Sequence, residues 1–134
     1  MDEEHEECAA ALHRLAEERS SAALGSFVTV FERHCAHEEA LLDQHLYDAE
    51  EKRLAAEGGV SLLLNSRTSH YKDHEKIIGS AKRELTRLMR EGAGVEGGST
   101  VSVGFVNSLL REFENHANVY DAFYADKLAA VIGA

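Results

Sequence analysis

The sequence predicts an all-α protein, an up-down-up-down antiparallel four-helix bundle. Three observations predict it. The chain has no proline in 134 residues, and a domain without proline suits long helices joined by short loops. Ala, Leu, Glu, Lys and Arg dominate, while β-branched residues come in small groups such as Phe27-Val28-Thr29-Val30, which favours helix over sheet. Apolar residues recur at steps of three and four through four segments, as the core stripe of a bundle requires.

Glycine and serine punctuate those segments. Gly58-Gly59 and the run from Gly92 to Gly98 read as loops, and Ser20-Ser21, with Gly25-Ser26 soon after, marks a softer break. The helices are then expected at about 2–19, 21–56, 60–91 and 99–132, within one domain spanning the chain. Ser21, Ser61 and Ser99 are the candidate N-caps of the second, third and fourth. The expected inward stripes are His5, Ala9, Leu12 and Ala16 in the first segment, and Leu24, Phe27, Phe31, His34, Glu38, Leu41 and His45 in the second. The third carries Leu63, Arg67, His70, His74, Ile77, Ala81, Leu85 and Leu88, the fourth Val106, Leu109, Phe113, His116, Tyr120 and Phe123.

Charge and hydropathy exclude some functions. A formal net charge of −10 argues against nucleic acid and against an anionic membrane surface, and is read as a solvated acidic exterior. No apolar run approaches a transmembrane span. The acidic start, Met1-Asp2-Glu3-Glu4, lacks the basic and apolar regions of a signal peptide. Cys8 and Cys35 cannot build a disulfide framework, so a cytoplasmic setting is expected.

The middle of each apolar stripe is polar, and that is the unusual feature. Buried His and Glu cost several kcal/mol per charge unless a partner offsets them. A metal ion is such a partner, because it takes neutral imidazoles and ionised carboxylates together. His34 and Glu38 lie four apart, as do His70 and His74, so each pair projects from one helix face, about 40° off alignment. The fourth segment offers His116 and Asp121, whose five-residue step turns about 140° in an α-helix, so Asp121 has to swing in from the side. The first offers His5, with His13 two turns later as its substitute. Heights along the bundle agree. His5 and His34 lie about 15 and 13 residues from the first break, and His74 and His116 about 17 each from the last loop, which at about 1.5 Å per residue puts all four within a few ångströms of one level.

The order His5, His34-x3-Glu38, His70-x3-His74, His116-x4-Asp121 resembles the hemerythrin signature. The likeness covers nearly the whole chain, including Asp-Glu-Glu-His at the start and the Glu-Glu-x-Leu-type stretch after His34. It implies two iron ions, one bound by His70, His74 and His116 and the other by His5 and His34. Glu38 and Asp121 would bridge them together with an oxo or hydroxo group, and the iron at His5 and His34 would keep a position open for dioxygen. Ligand chemistry alone also suits manganese or zinc; the resemblance selects iron. The chain departs from the pattern in longer stretches between Glu38 and His70 and between His74 and His116. It also has almost no arm before His5.

The implied function is binding or sensing of dioxygen, or reaction with hydrogen peroxide, at the open position. A peroxidase- or catalase-like enzyme and an iron-responsive regulatory domain are the alternatives, since fold and ligands do not separate them. The expected pocket lining is Phe31, Phe113, Cys8 and Cys35. Members of the family place bulky apolar side chains near the two cysteines and near Ala117, so a roomier and more oxidisable pocket is implied, with Phe113 as the main shield. The thiols themselves read first as small buried hydrophobes, and second as a redox pair. Glu39 reads as solvated, His37 as a helix-flank residue, and His45 as a core histidine at the bundle end. Tyr120 and Tyr124 read as core. Arg67 is expected to pair with a carboxylate or to snorkel, and Glu112 either joins the metal shell or faces water.

Overall fold

The computed structural model describes the backbone of residues 2–92 and 100–121 and the side chains of residues 5–91 and 100–119. All regular structure among the described residues is helical. Helix α1 spans Asp2–Glu18. Helix α2, Ser21–Leu42, runs through a π-helical turn at Asp43–Tyr47 into α3, Asp48–Glu57. Helix α4 spans Leu62–Gly92, and α5, Val103–His116, continues into a second π-helical turn at Ala117–Asp121. Helix α1 packs on α2 and α5, α2 packs on α4, and α4 packs on α5.

Local chemistry sets the ends. Ser20, not Ser21, caps α2: its backbone is extended (φ −99°, ψ 159°) and its Oγ accepts from the Ala23 amide at 3.1 Å. Arg19 before it takes φ 48°, the left-handed conformation that turns the chain between α1 and α2. Ser61 caps α4 as expected, accepting from Leu64 N at 3.2 Å. Gly58 and Gly59 sit at φ 74° and 98°, which a side chain would strain, and Gly58 N donates to Leu54 O at 2.7 Å to close α3. Helix α5 starts later than the expected 99, because Ser102 supplies the cap, accepting from Phe105 N at 3.1 Å. Ser102→Ala is expected to cost about 1 kcal/mol, read as a lower denaturant midpoint with unchanged slope; an unchanged midpoint would mean the cap is dispensable.

The core has two parts. The larger includes Cys8, Leu12, Leu15, Leu24, Phe27, Phe31, Ile77, Ala81, Val106 and Leu109. The smaller comprises Leu42, Leu46 and Tyr47, packed by Leu63, Leu64 and Tyr71. Along α2 and α4 the buried His34, Glu38, His70 and His74 lie between these two apolar groups. Two stripes therefore need correction. In α1 the inward residues are Cys8, Ala11, Leu12 and Leu15, whereas Ala9 and Ala16 are exposed. The leucines, with more area to bury, set the rotation of the helix. In α2 the chain continues from Glu38 to Leu42, Leu46 and Tyr47, leaving Leu41 and His45 half-buried, and the π-helical turn makes this possible by adding a residue to the repeat.

Candidate metal centre

The polar layer gathers side chains from every helix around it except α3. Glu38, His70, His74 and His116, all buried, offer ligand atoms that lie within 4.8 Å of one another. His70 Nε2 is 2.8 Å from Glu38 Oε1, and His74 Nε2 is 3.3 Å from the same oxygen. His74 Nε2 and His116 Nε2 face each other at 3.0 Å. A second group, His5, His34 and Glu38, meets the same 4.8 Å limit. Here His34 Nε2 lies 3.4 Å from Glu38 Oε2, and the rings of His5 and His34 are 4.7 Å apart.

Glu38 belongs to both groups and turns one oxygen toward each. Its burial is complete, as expected of a carboxylate that neighbouring donors stabilise. Helical spacing explains the arrangement. His34 and Glu38 stack one turn apart on α2, and His70 and His74 do so on α4. His116 meets them from α5 because α4 and α5 are packed. Burial pushes His70 below the ordinary imidazole range, although Glu38 pulls the other way. That favours the neutral ring, which is the form a metal binds.

The donor set fits a metal ion. Imidazole nitrogens and carboxylate oxygens carry the lone pairs that such an ion takes up, and nearby cations are engaged elsewhere. Arg67 reaches Asp43 at 3.1 Å and Glu51 at 2.8 Å and lies over the rings of Tyr47 and Tyr71. It thus pairs with carboxylates, as one expectation had it. Lys76 lies 4.0 Å from Glu112, and that glutamate belongs to neither ligand group.

The expected residues fall as follows. His5, His34, Glu38, His70, His74 and His116 converge. The side chains of Asp121 and Tyr120, and all of Tyr124, lie outside the described residues. The backbone around Asp121 still changes one expectation. The chain after His116 runs in a π-helical turn at Ala117–Asp121, closed by bonds from i to i+5, and not in the α-helix on which the 140° step was reckoned. His13 does not substitute for His5: its side chain is 78% exposed and 3.2 Å from Glu17. His37 is exposed and His45 half-buried, both outside the two groups.

Phe31 is the centre of an aromatic cap. Its ring lies 6.3 Å from each of the rings of His34, His74 and His116 and 6.0 Å from Phe113. Cys8 and Cys35 are both buried thiols with no disulfide. Cys8 packs in the main apolar core together with Cys35.

Sequence reasoning missed three side chains around this layer. Asp73 places Oδ2 at 2.7 Å from His116 Nδ1. Glu39, expected in solvent, is only one-third exposed and lies 3.5 Å from His74 Nδ1. Tyr71 stacks on His74 at 6.2 Å and 15°, donates to Asp43 Oδ1 at 2.8 Å, and is held as a phenol because burial and Asp43 push its pKa up. Asp73 and Glu39 each adjoin a ligand in sequence, the one faint signal that was available.

Helical structure throughout the described elements, with a buried His/Glu cluster able to hold a metal ion, is the class that fold and site define. Comparison with protein families, with curated proteins and with solved structures finds no match.

Proposed function

We propose that this chain is a hemerythrin-like di-iron protein that binds dioxygen, or meets peroxide, at one open metal position. The observation that carries this reading is the sharing of Glu38: one buried carboxylate belongs to two ligand groups, as a bridge between two ions requires. His70, His74 and His116 hold one ion, and His5 and His34 the other. Asp121 serves as the second bridge. The fold of this reading is an up-down-up-down antiparallel bundle, supported by the two-residue break at Arg19-Ser20 and the short break at Gly58–Ser61, since short connections favour antiparallel neighbours.

When bound, a pair of iron ions supplies reversible two-electron chemistry toward dioxygen. The chain's own residues orient and enclose. The three-histidine side is the fuller shell, and the His5/His34 side has fewer protein donors and so leaves room for a small ligand. Phe31 covers the layer from the main core and limits water, which slows loss of a bound ligand by protonation. His5 is only partly buried, unlike the other four histidines of the two groups, so its ion is the weaker one.

The test is metal analysis with an optical spectrum, after anaerobic reduction and again after exposure to air. About two irons per chain are expected, because the six residues form two groups that share only Glu38, and Asp121 makes seven ligands where one octahedral ion takes six. A coloured oxygenated form that returns under vacuum supports binding. Rapid bleaching with sustained consumption of hydrogen peroxide would move the function to the enzymatic alternative. A chain that takes up no iron, manganese or zinc would remove the proposal.

A further inference from the structure

Two carboxylates frame the three-histidine side of the ligand layer from outside. His116 is almost fully buried at 1% side-chain exposure, whereas Asp73, on α4, is 21% exposed at the rim. Their contact, 2.7 Å from Oδ2 to Nδ1, crosses from one helix to another and from rim to core. An ionised carboxylate only accepts hydrogen bonds, so Nδ1 carries the ring proton, and a neutral ring then presents its lone pair at Nε2. That Nε2 is the atom turned toward His74 at 3.0 Å. The neighbouring ligand repeats the pattern more loosely, with Glu39 Oε1 at 3.5 Å from His74 Nδ1.

A plain ion pair fastening α4 to α5 is the competing explanation. Lys72 and Lys76 flank Asp73 in sequence and lie with it along one surface cleft, and an aspartate there for surface charge alone would be served by those ammonium groups. Its close contact is instead with the inner ring. Outer carboxylates that hold a ligand imidazole in this way fix its tautomer and orientation and raise its basicity.

We propose that Asp73 is a positioning residue: by accepting from Nδ1 of His116 it aims Nε2 into the ligand group and makes the His70/His74/His116 position the tighter of the two. This inference rests on the metal-binding reading given above. It predicts that the two positions fill in sequence and that Asp73 controls only the first.

The experiment is a titration of the metal-free chain with cobalt(II), followed by its absorption bands, for wild type, Asp73→Ala and Asp73→Asn. Asp73→Ala is expected to weaken the first step by about 10–100-fold with the second step unchanged, while the metal-free chain melts somewhat lower because the buried His116 ring loses its acceptor. Asp73→Asn keeps an acceptor oxygen in place and is expected to recover most of the loss, whereas a purely ionic fastening would be lost in both variants. Nitrogen-15 spectra of the metal-free wild type are expected to show His116 protonated at Nδ1. Equal cobalt affinity in wild type and Asp73→Ala overturns this inference alone, as does a His116 ring protonated at Nε2. A wild-type chain that binds no cobalt, iron or zinc overturns the metal reading and this inference with it.

Discussion

Glu38→Ala is expected to empty both metal positions at once, taking metal content from about two ions per chain to almost none. No other described side chain belongs to both ligand groups, so no other single change should do this. Removing His5 strips one donor from the second group only, and His5→Ala is expected to leave about one ion per chain. The contrast between the two variants is the informative measurement, because general loss of structure would not separate them. Glu38 is also the buried negative partner nearest to His34, His70 and His74. Its removal leaves three buried rings without that partner, so the variant is expected to melt lower even when metal-free. If Glu38→Ala retained two ions, the bridging role would be wrong; if it lost one and kept one, Glu38 would belong to a single position.

Phe31→Ala should have the largest effect on stability. The ring is fully buried, stacks on Phe27 at 5.4 Å, and touches the aromatic surroundings of three ligand histidines. Truncations of buried Phe cost about 3–5 kcal/mol through lost transfer energy and residual cavity. For a domain of this size that corresponds to a fall in melting temperature of roughly 10–20 °C. The same change opens space beside His34, His74 and His116, so under the proposed dioxygen binding the oxygenated form is expected to oxidise faster. Phe113→Ala is the control, since Phe113 is only partly buried and its loss should cost less. A Phe31→Ala protein that melts like wild type would show that the aromatic cap contributes little to the fold.

The convergence of the buried His/Glu cluster was legible because helical periodicity turns spacing into direction. His34 with Glu38, and His70 with His74, could be placed on common faces from the four-residue step alone, and the structure brings both pairs into one layer. The equal heights inferred for His5, His34, His74 and His116 correspond to the same convergence. Other features were not legible, each for a physical reason. Steps of three and four are both compatible with a stripe, so the chain from Glu38 could run to Leu41 or Leu42. Packing against Leu63, Leu64 and Tyr71 goes with Leu42, and a π-helical turn carries the face onward to Tyr47. The caps moved by one residue at Ser20 and by three at Ser102, each with extended backbone and an Oγ that accepts from the amide three residues on. The π-helical turn after His116 could not be read either, since an i to i+5 turn has no composition of its own.

What the residue order settled was therefore the helical class, the approximate breaks, and the identity of the side chains that turn inward as a polar layer. These follow from periodicity and local turn chemistry, which act over a few residues. What required the folded chain was how that layer is shared and supported. Glu38 divides its two oxygens between His34 on its own helix and His70 on another, and the contact of Asp73 with His116 joins residues 43 positions apart. Such contacts depend on the rotation and separation of packed helices. Those are fixed by the fit of many side chains at once, with Leu12, Leu15, Phe27 and Phe31 filling the space on one side of the layer and Leu42 and Tyr47 on the other, so no local pattern along the chain encodes them.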